Sequence, residues 1–389
     1  MVTTEIKTIK PAGGGDYSSL NTWEVAERSN AYPTIPNGDL VSADKIKVAE
    51  VYSGGNCLTD RLSINTGWTT DATRYIEIRA ASGYEHNGIW DTNKSYGTHD
   101  TDVSNIITIH ADVHINKMQF SSTQVASAGM MGLIFTRGNG RVVIDRCIIK
   151  HINNYIGIPL YQDSDNAVVI VTNSIVLLKQ TSNGYTALCV KVYGQFTTYN
   201  STFIAYDYNN GDTNTSSLQI MNSSAVITSE NCYFKSSYVY WNNGGGTFNK
   251  GSKDATSSND ATDPNLRSIP YSTDTFQNVT FDSEDLRLVV IPSNKLINSG
   301  ANLTAQGVTT DIVGVARPQF GAFDIGAFEN DIPVCWNYTA QYKNSSRLFK
   351  ASGCGSFPRS LRVPGNVDAS TGRMVDDGVE IDPDEYRIG

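Results

Sequence analysis

Charged side chains and long apolar runs are both scarce in this sequence of 389 residues. Charged residues make up only 18% of the chain, against about 25% in an average globular protein. Thirty basic and 39 acidic residues leave a net charge of −9, which argues against a general nucleic-acid binder, because phosphate binding requires a basic face. No apolar run approaches the ~18 residues of a membrane span, so no membrane partner is expected either.

Closely spaced cysteines are also missing, since the six cysteines stand at positions 57, 147, 189, 232, 335 and 354. No C-x-x-C pair occurs, which argues against a structural zinc site, and we expect no metal and no cofactor. Cys147 and Cys232 lie in apolar strand-like segments, where a free thiol usually fills core space. Cys335 and Cys354 stand apart, and their spacing leaves open whether they form a disulfide. The polar residues 1–7 predict no secretory signal.

Five segments in the middle of the chain share one pattern, an alternating strand, a polar residue, a small or sulfur-bearing residue and a second short strand. Equivalent positions of this repeat are residues 118, 147, 174, 201 and 232. A period of about 27–31 residues with several short strands predicts a parallel β-solenoid, in which equivalent residues stack about 4.8 Å apart. We expect Ile144 and Ile170 to point into its core.

A second column precedes the first by one residue and consists of Lys117, Arg146, Asn173, Asn200 and Asn231. Asparagine tolerates the left-handed backbone conformation, and its amide can bond backbone groups at a turn. The column therefore favours a structural turn ladder between two sheets. A ligand-binding strip along the solenoid is the alternative interpretation.

The start of the chain carries a helical pattern in place of the repeat. Leu20, Trp23 and Ala26 share one helical face, and Ser18 is a candidate N-cap. A helix here would cover the first coil, whose open strand edges would otherwise pair with other chains. We assign residues 1–43 to an N-terminal cap with a short helix.

Motifs at both ends of the repeat region resemble a known class of proteins. The stretches Asp311-x-x-Gly314-x-x-Arg317-Pro318 and Asp324-Ile325-Gly326-Ala327-Phe328-Glu329 look like the closing motif of right-handed parallel β-helix proteins. The opening Gly14-Gly15-Asp16-Tyr17-Ser18-Ser19-Leu20-x-x-Trp23-Glu24 resembles β-helix proteins encoded by marine tailed phages. The resemblance covers about residues 5–330.

This resemblance implies an all-β fold, a right-handed single-stranded parallel β-helix over residues 44–330. The closing motif, 311–329, would fix the chain as it crosses the last coil. The charges of this motif would then be structural, with Arg317 paired to Asp324 or Glu329, and Asp311 would belong to the same group. The fold carries lyases, hydrolases, adhesins and inert virion parts alike, so it does not decide the activity.

No catalytic residue can be assigned from the sequence. Asp145 and Glu230 fall in one column, but three coils place them about 14 Å apart, beyond the ~5–9.5 Å that a glycosidase pair requires. Lys117 and Arg146 are neighbours on adjacent coils and could bind an anionic sugar. Arg146 could also serve as the base of a lyase, although a solvated turn residue is the simpler interpretation.

Residues 331–389 lack the coil pattern, and we expect an extended C-terminal docking arm. Five basic and no acidic residues occur between 332 and 366, whereas six acidic and two basic residues occur from 373 onward. A solvated extension is the alternative. The arm residues expected to bind a partner are Trp336, Tyr342, Lys343, Arg347, Phe349, Arg359, Arg362 and Tyr386.

Three functions remain open at this point, and the first is favoured. It is a non-enzymatic virion structural protein, such as a capsid decoration, head fibre or spike, assembled in the host cytoplasm and bound to capsid or tail subunits. The second is a phage depolymerase, a polysaccharide lyase or glycoside hydrolase acting on cell-surface polysaccharide. The third is a secreted, extracellular adhesin.

Overall fold

The computed structural model describes most of the chain before residue 332 and short strands after it. The described ranges are 1–29, 38–100, 105–124, 130–153, 156–181, 187–206, 215–236, 238–257, 267–291, 293–331, 335–341, 348–354, 361–363, 366–368, 373–375 and 379–381. The parallel strands between Thr3 and Ser268 form an all-β solenoid of about six turns, as the repeat predicts. Helical segments in these ranges include Leu20–Ser29, Leu40–Ala43 and a 3₁₀ turn at Thr304–Gln306.

Three parallel sheets run along the solenoid. Sheet 1 consists of Thr3–Ile9, Lys45–Val51, Ile76–Ala80, Val113–Asn116, Arg141–Asp145, Val168–Thr172, Gln195–Tyr199, Val226–Glu230 and Thr247–Asn249. Sheet 2 consists of Tyr96–Thr98, Gln119–Gln124, Ile148–Asn153, Ile175–Gln180, Thr202–Tyr206, Tyr233–Lys235, Ala255–Thr256 and Arg267–Ser268. Sheet 3 consists of Leu62–Ile64, Ile107–Ile109, Met130–Thr136, Ile156–Gln162, Ala187–Val192, Thr215–Ile220 and Tyr238–Asn242.

Side chains alternate between the core and the outside along each strand of sheet 1. Ile144 is fully buried, as expected, and its partner on the next coil is Val171, which is buried as well. Ile170 instead pairs with Val143, and both are half-buried on the outward face. The expectation for Ile170 was therefore wrong by one residue, which in a strand moves a side chain to the other face.

The predicted turn ladder between sheets 1 and 2 is confirmed by the backbone. Positive φ angles of 45–58° occur at Lys117, Arg146, Asn173, Asn200 and Asn231. The Asn231 amide donates to the Asn200 side-chain oxygen at 3.2 Å and to the Ala301 carbonyl at 2.8 Å. The Asn200 amide donates to the Asp324 carbonyl at 2.8 Å. The last two asparagines of the ladder thus hold a distant segment against the solenoid.

The helix Leu20–Ser29 packs against the strand Leu62–Ile64, at the edge of sheet 3. Trp23 is fully buried and stacks on Trp68 with ring centroids 6.2 Å apart. The N-cap is Ser19 rather than Ser18, because the Ser19 hydroxyl accepts from the Thr22 backbone N–H at 3.1 Å. The strand Thr3–Ile9 precedes this helix and pairs with Lys45–Val51, so sheet 1 begins within residues 1–43.

The described residues between 269 and 331 turn back along the outside of sheet 2. An antiparallel hairpin, Phe276–Asn278 with Asp285–Leu288, begins this covering segment. Its apolar side chains and those of the closing motif pack on outward-facing residues of sheet 2, which include Ile148, Ile175, Leu177 and Ile204. The closing motif therefore lies along the side of the solenoid, whereas the sequence predicted that it crosses the last coil.

The described strands after residue 334 pair antiparallel with one another. Cys335–Gln341 pairs with Leu348–Cys354, Leu361–Val363 with Val379–Ile381, and Asn366–Asp368 with Arg373–Val375. The register of the first pair places Cys335 opposite Cys354. Of the proposed arm residues, those within strands are Trp336, Phe349 and Arg362. Those outside the described residues are Tyr342, Lys343, Arg347, Arg359 and Tyr386.

Candidate functional site: a polar groove on sheet 1

The outward face of sheet 1 forms the floor of a groove with a volume of about 620 Å³. Residues 306–310 form one wall. Tyr199 on the floor packs against Leu303, Val308 and Phe323, so the wall is anchored by a small apolar cluster. Other residues that line the groove include Glu77, His114, Asn116, Arg141, Val143, Asp145, Arg146, Ile170, Thr172, Asn173 and Thr197.

An aromatic stack lies at one end of this groove. The rings of Tyr75 and His114 are 3.7 Å apart between centroids and inclined by only 21°. Burial, and secondarily the positive charge of Arg141, lowers the pKa of His114 to about 4. His114 is therefore a neutral imidazole at physiological pH, suited to hydrogen bonding and ring contact.

The middle of the groove holds the Asp145–Arg146 pair. Arg146 Nε donates to Asp145 Oδ2 at 2.8 Å, and Asp145 Oδ1 accepts from Thr172 Oγ1 at 2.7 Å and from Asn173 Nδ2 at 3.1 Å. Asn173 is only 4% exposed, and its Oδ1 has no hydrogen-bond partner within the described part of the chain. The groove thus offers a buried acceptor beside an oriented carboxylate.

The structure separates the two carboxylates considered from the sequence, whereas it places Lys117 and Arg146 on adjacent coils, as expected. Asp145 and Glu230 share a column, separated by Thr172 and Tyr199, so three steps of the solenoid lie between the carboxylates. Lys117 donates to Glu85 at 3.1 Å, and Arg146 is held by Asp145. The proposed basic strip of Lys117 and Arg146 is therefore neutralised by a carboxylate at each position.

The closing motif forms a buried polar cluster. Arg317 Nη1 donates to Glu329 Oε2 at 2.9 Å, and neither side chain is exposed to solvent. The same guanidinium donates to the backbone oxygens of Asp324 and Gly326 at 3.1 and 3.0 Å. Asp311 Oδ1 accepts the backbone N–H of Val313 and Val315, and its Oδ2 accepts that of Glu329.

Three carboxyl groups surround a single guanidinium in this cluster. Burial raises the pKa of Asp324 to about 7, with the neighbouring charge of Glu329 adding to the shift. Burial likewise raises the pKa values of Asp311 and Glu329 and lowers that of Arg317. Because these groups contact backbone of the covering segment, the cluster stabilises the fold.

Sequence reasoning found part of the groove and missed the rest. It singled out Asp145, Arg146 and Asn173 through the repeat. It missed Arg141 and the wall at residues 306–310, because no local pattern indicates that a loop so distant in sequence returns to sheet 1. The nearest indication of the groove in the sequence was the row of polar residues that alternate with apolar ones along the strands of sheet 1.

The described residues contain no group of three or more His, Cys, Asp or Glu side chains placed to hold a metal ion. No helix in the described ranges is long and apolar enough to cross a membrane. Comparison with protein-family models, with curated proteins and with solved structures finds no match to this chain.

Proposed function

We propose that this chain is a non-enzymatic virion structural protein, a β-solenoid displayed on a phage particle. Residues 331–389 attach it to capsid or tail subunits, and the solenoid is the displayed part. The resemblance of the opening and closing motifs to phage β-helix proteins supports the phage setting. The arrangement of the chain supports separate roles for the solenoid, which is displayed, and the C-terminal segment, which attaches it.

The observation that carries this proposal is the buried ion pair of Arg317 and Glu329. It completes the covering segment directly before residue 331. Two polar contacts of that segment, the Arg317–Glu329 pair within it and the Asn200–Asp324 contact with the solenoid, both precede residue 331. Residues 331–389 take no part in these two contacts, which supports a separate role for them in attachment.

The charge distribution of residues 331–389 fits attachment to a partner. Its basic part lies between 332 and 366 and its acidic part from 373 onward, so complementary patches on a partner would set its direction. Trp336 and Phe349 lie on paired strands, and aromatic residues supply much of the affinity at interfaces.

Truncation after Asn330 tests this proposal. We expect the truncated protein to melt close to the full-length chain and to lose co-sedimentation with particles that lack the protein. Arg362→Glu in the C-terminal segment should weaken co-sedimentation, whereas the matched charge reversal Arg61→Glu on the solenoid should not. Equal binding by full-length and truncated protein would contradict the proposal.

A second function, binding or cleavage of cell-surface polysaccharide, is favoured by the groove on sheet 1. The groove is lined by the His114 ring, which stacks on Tyr75, by the Asp145 carboxylate and by Asn173, which are the kinds of ring and hydrogen-bonding groups that sugars need. A panel of polysaccharides should be assayed for reducing ends and unsaturated products. Binding without either product supports a lectin-like groove, and product that Asp145→Asn abolishes supports a depolymerase.

A further inference from the structure

A second cleft lies on the other side of the solenoid, between sheet 2 and the covering segment. It has a volume of about 760 Å³. Its floor is the outward face of sheet 2, and its roof is the loop of residues 279–282. We call it the lysine cleft, lined chiefly by Lys179, Tyr206, Lys235, Ser257, Tyr271 and Phe281.

Lysine ammonium groups cluster on aromatic rings in and beside this cleft. Lys179 Nζ lies 4.5 Å from the centroid of Phe281, and Lys150 Nζ lies 5.0 Å from the same ring. Lys235 Nζ lies 4.4 Å from the centroid of Tyr206 and 5.9 Å from that of Tyr271. Aromatic faces attract cations and hold such side chains in place.

Positive charge exceeds negative charge around the lysine cleft. Lys150 forms an ion pair with Asp282, whose side chain is 62% exposed at the rim. Glu284 lies on the same hairpin loop as Asp282 and close to Lys150, and burial raises the pKa of the Glu284 carboxyl group. Lys235 is 4% exposed and donates to the Ala205 carbonyl at 3.1 Å. Among the residues that line the cleft, the ammonium groups of Lys179 and Lys235 therefore face the carboxylate of Asp282, which already pairs with Lys150.

Hydroxyl groups accompany the ammonium groups. The Tyr206 and Tyr271 hydroxyls are 2.7 Å apart. The buried Ser257 hydroxyl lines the cleft and has no hydrogen-bond partner within the part of the chain that the structure describes. A ligand that combines an anionic group, hydroxyls and a ring face matches each of these features.

We propose that the lysine cleft binds an acidic sugar through its carboxylate or sulfate group. The anionic oxygens lie between Lys179 and Lys235, and the sugar ring packs against Tyr271 and Phe281. Charge-assisted hydrogen bonds to an ammonium are about twice as strong as neutral ones, so the acid supplies the selectivity. This site goes beyond the proposed display function. That function assigns binding to residues 331–389, whereas the residues that line the cleft all precede residue 331.

Calorimetric titration of the full-length protein with three probes tests the site: galacturonic acid, glucose 6-sulfate and galactose. We expect one or both acidic sugars to bind, with affinity that falls at high salt, and galactose not to bind. The two acidic probes distinguish a carboxylate site from a sulfate site. Failure of both to bind at millimolar concentration would overturn the proposal.

Variants then locate the binding. Lys179→Gln should lower the affinity for the acidic sugar about tenfold, and Lys179→Arg should retain most of it. Lys191→Gln is the matched control, because Lys191 lies on sheet 3 beside the rings of Tyr161 and Tyr193. Equal loss in Lys179→Gln and Lys191→Gln, or no loss in either, would overturn the assignment to this cleft. Thermal melting of each variant verifies that it is folded.

Discussion

Arg317 and Glu329 form an ion pair of 2.9 Å from which solvent is fully excluded. The remaining oxygen of Glu329 accepts the backbone N–H of Gln319, and the second guanidinium nitrogen of Arg317 donates to the Gly326 carbonyl. The thirteen residues 317–329 are thus folded around one charge pair. A buried pair of this kind is costly to break, because the remaining partner stays buried and uncompensated.

Removing one partner should therefore destabilise the covering segment strongly. We expect Arg317→Ala to lower the free energy of unfolding by ~3–5 kcal/mol. The exposed pair of Arg287 and Asp285 is the matched control, and Arg287→Ala should cost about 1 kcal/mol or less. Denaturant titration measures both changes. Equal effects of the two variants would show that burial of the Arg317 pair does not matter.

The raised pKa of Asp324 predicts a pH-dependent stability. The folded value, about 7, lies above the ordinary value of 3.8, so the folded state holds this proton more tightly than the unfolded chain does. The resulting stability is fully present below about pH 4 and is lost as the pH rises through 7, with a slope of up to about 1.4 kcal/mol per pH unit.

Asp324→Asn isolates this effect, because the amide stays neutral at every pH. Burial lowers the pKa of His151 to about 3. The stability that the neutral His151 contributes therefore changes in the opposite direction and is lost as the pH falls. The two proteins must therefore be compared at each pH by thermal melting. We expect the stability of Asp324→Asn to rise relative to that of the parent protein between pH 5 and pH 8. Parallel curves of melting temperature against pH would contradict the raised pKa of Asp324.

The turn ladder predicts different roles for two asparagines with the same backbone conformation. Asn200→Ala loses the favoured left-handed residue, at ~1–2 kcal/mol, and removes one of the two donors to the buried Asp324 carbonyl, the other being Arg317 Nη1, at ~0.5–1.5 kcal/mol. Asn200→Gly should restore the first contribution only. Asn173→Ala is the control, because the Asn173 amide bonds Asp145 at the groove. Chemical denaturation should rank Asn200→Ala as the least stable of the three.

The repeat made the solenoid predictable, because side-chain alternation and a period near 27 residues are local properties of the sequence. The left-handed ladder followed from asparagine at fixed positions. The covering segment was not predictable in the same way. Contacts such as Phe328 with Gly88 join residues 240 positions apart, and no periodicity encodes them. This segment forms a wall of the groove on sheet 1 and the roof of the lysine cleft. The shapes of both could therefore not be predicted from the sequence.

The register of sheet 1 gives a direct test of which residues face the core. Ile144→Asp would bury a carboxylate among Ile115, Val171 and the other inward residues, and should cost about 3 kcal/mol or more. Ile170→Asp places the same group at the outward groove and should cost about 1 kcal/mol or less. Comparable destabilisation in both variants, measured by denaturant titration, would show that the register is shifted.

The path of the covering segment depends on close contact at Gly88. A Cβ added there would lie 2.3 Å from Phe328 Cζ, at a φ of +78°. Gly83 has a similar φ of +85° and nothing within 4 Å of its Cβ position. Gly83→Ala thus measures the backbone strain alone, about 1 kcal/mol, and Gly88→Ala adds the clash to that strain.

We expect Gly88→Ala to lower the melting temperature clearly more than Gly83→Ala does. Phe328→Leu in the Gly88→Ala background removes the clashing ring edge and should recover part of the difference. The same Phe328→Leu change alone should destabilise the protein, because Phe328 is buried against sheet 2. A rescue in the double variant requires that residues 88 and 328 touch, whereas additive losses would mean that the covering segment does not reach the early coils.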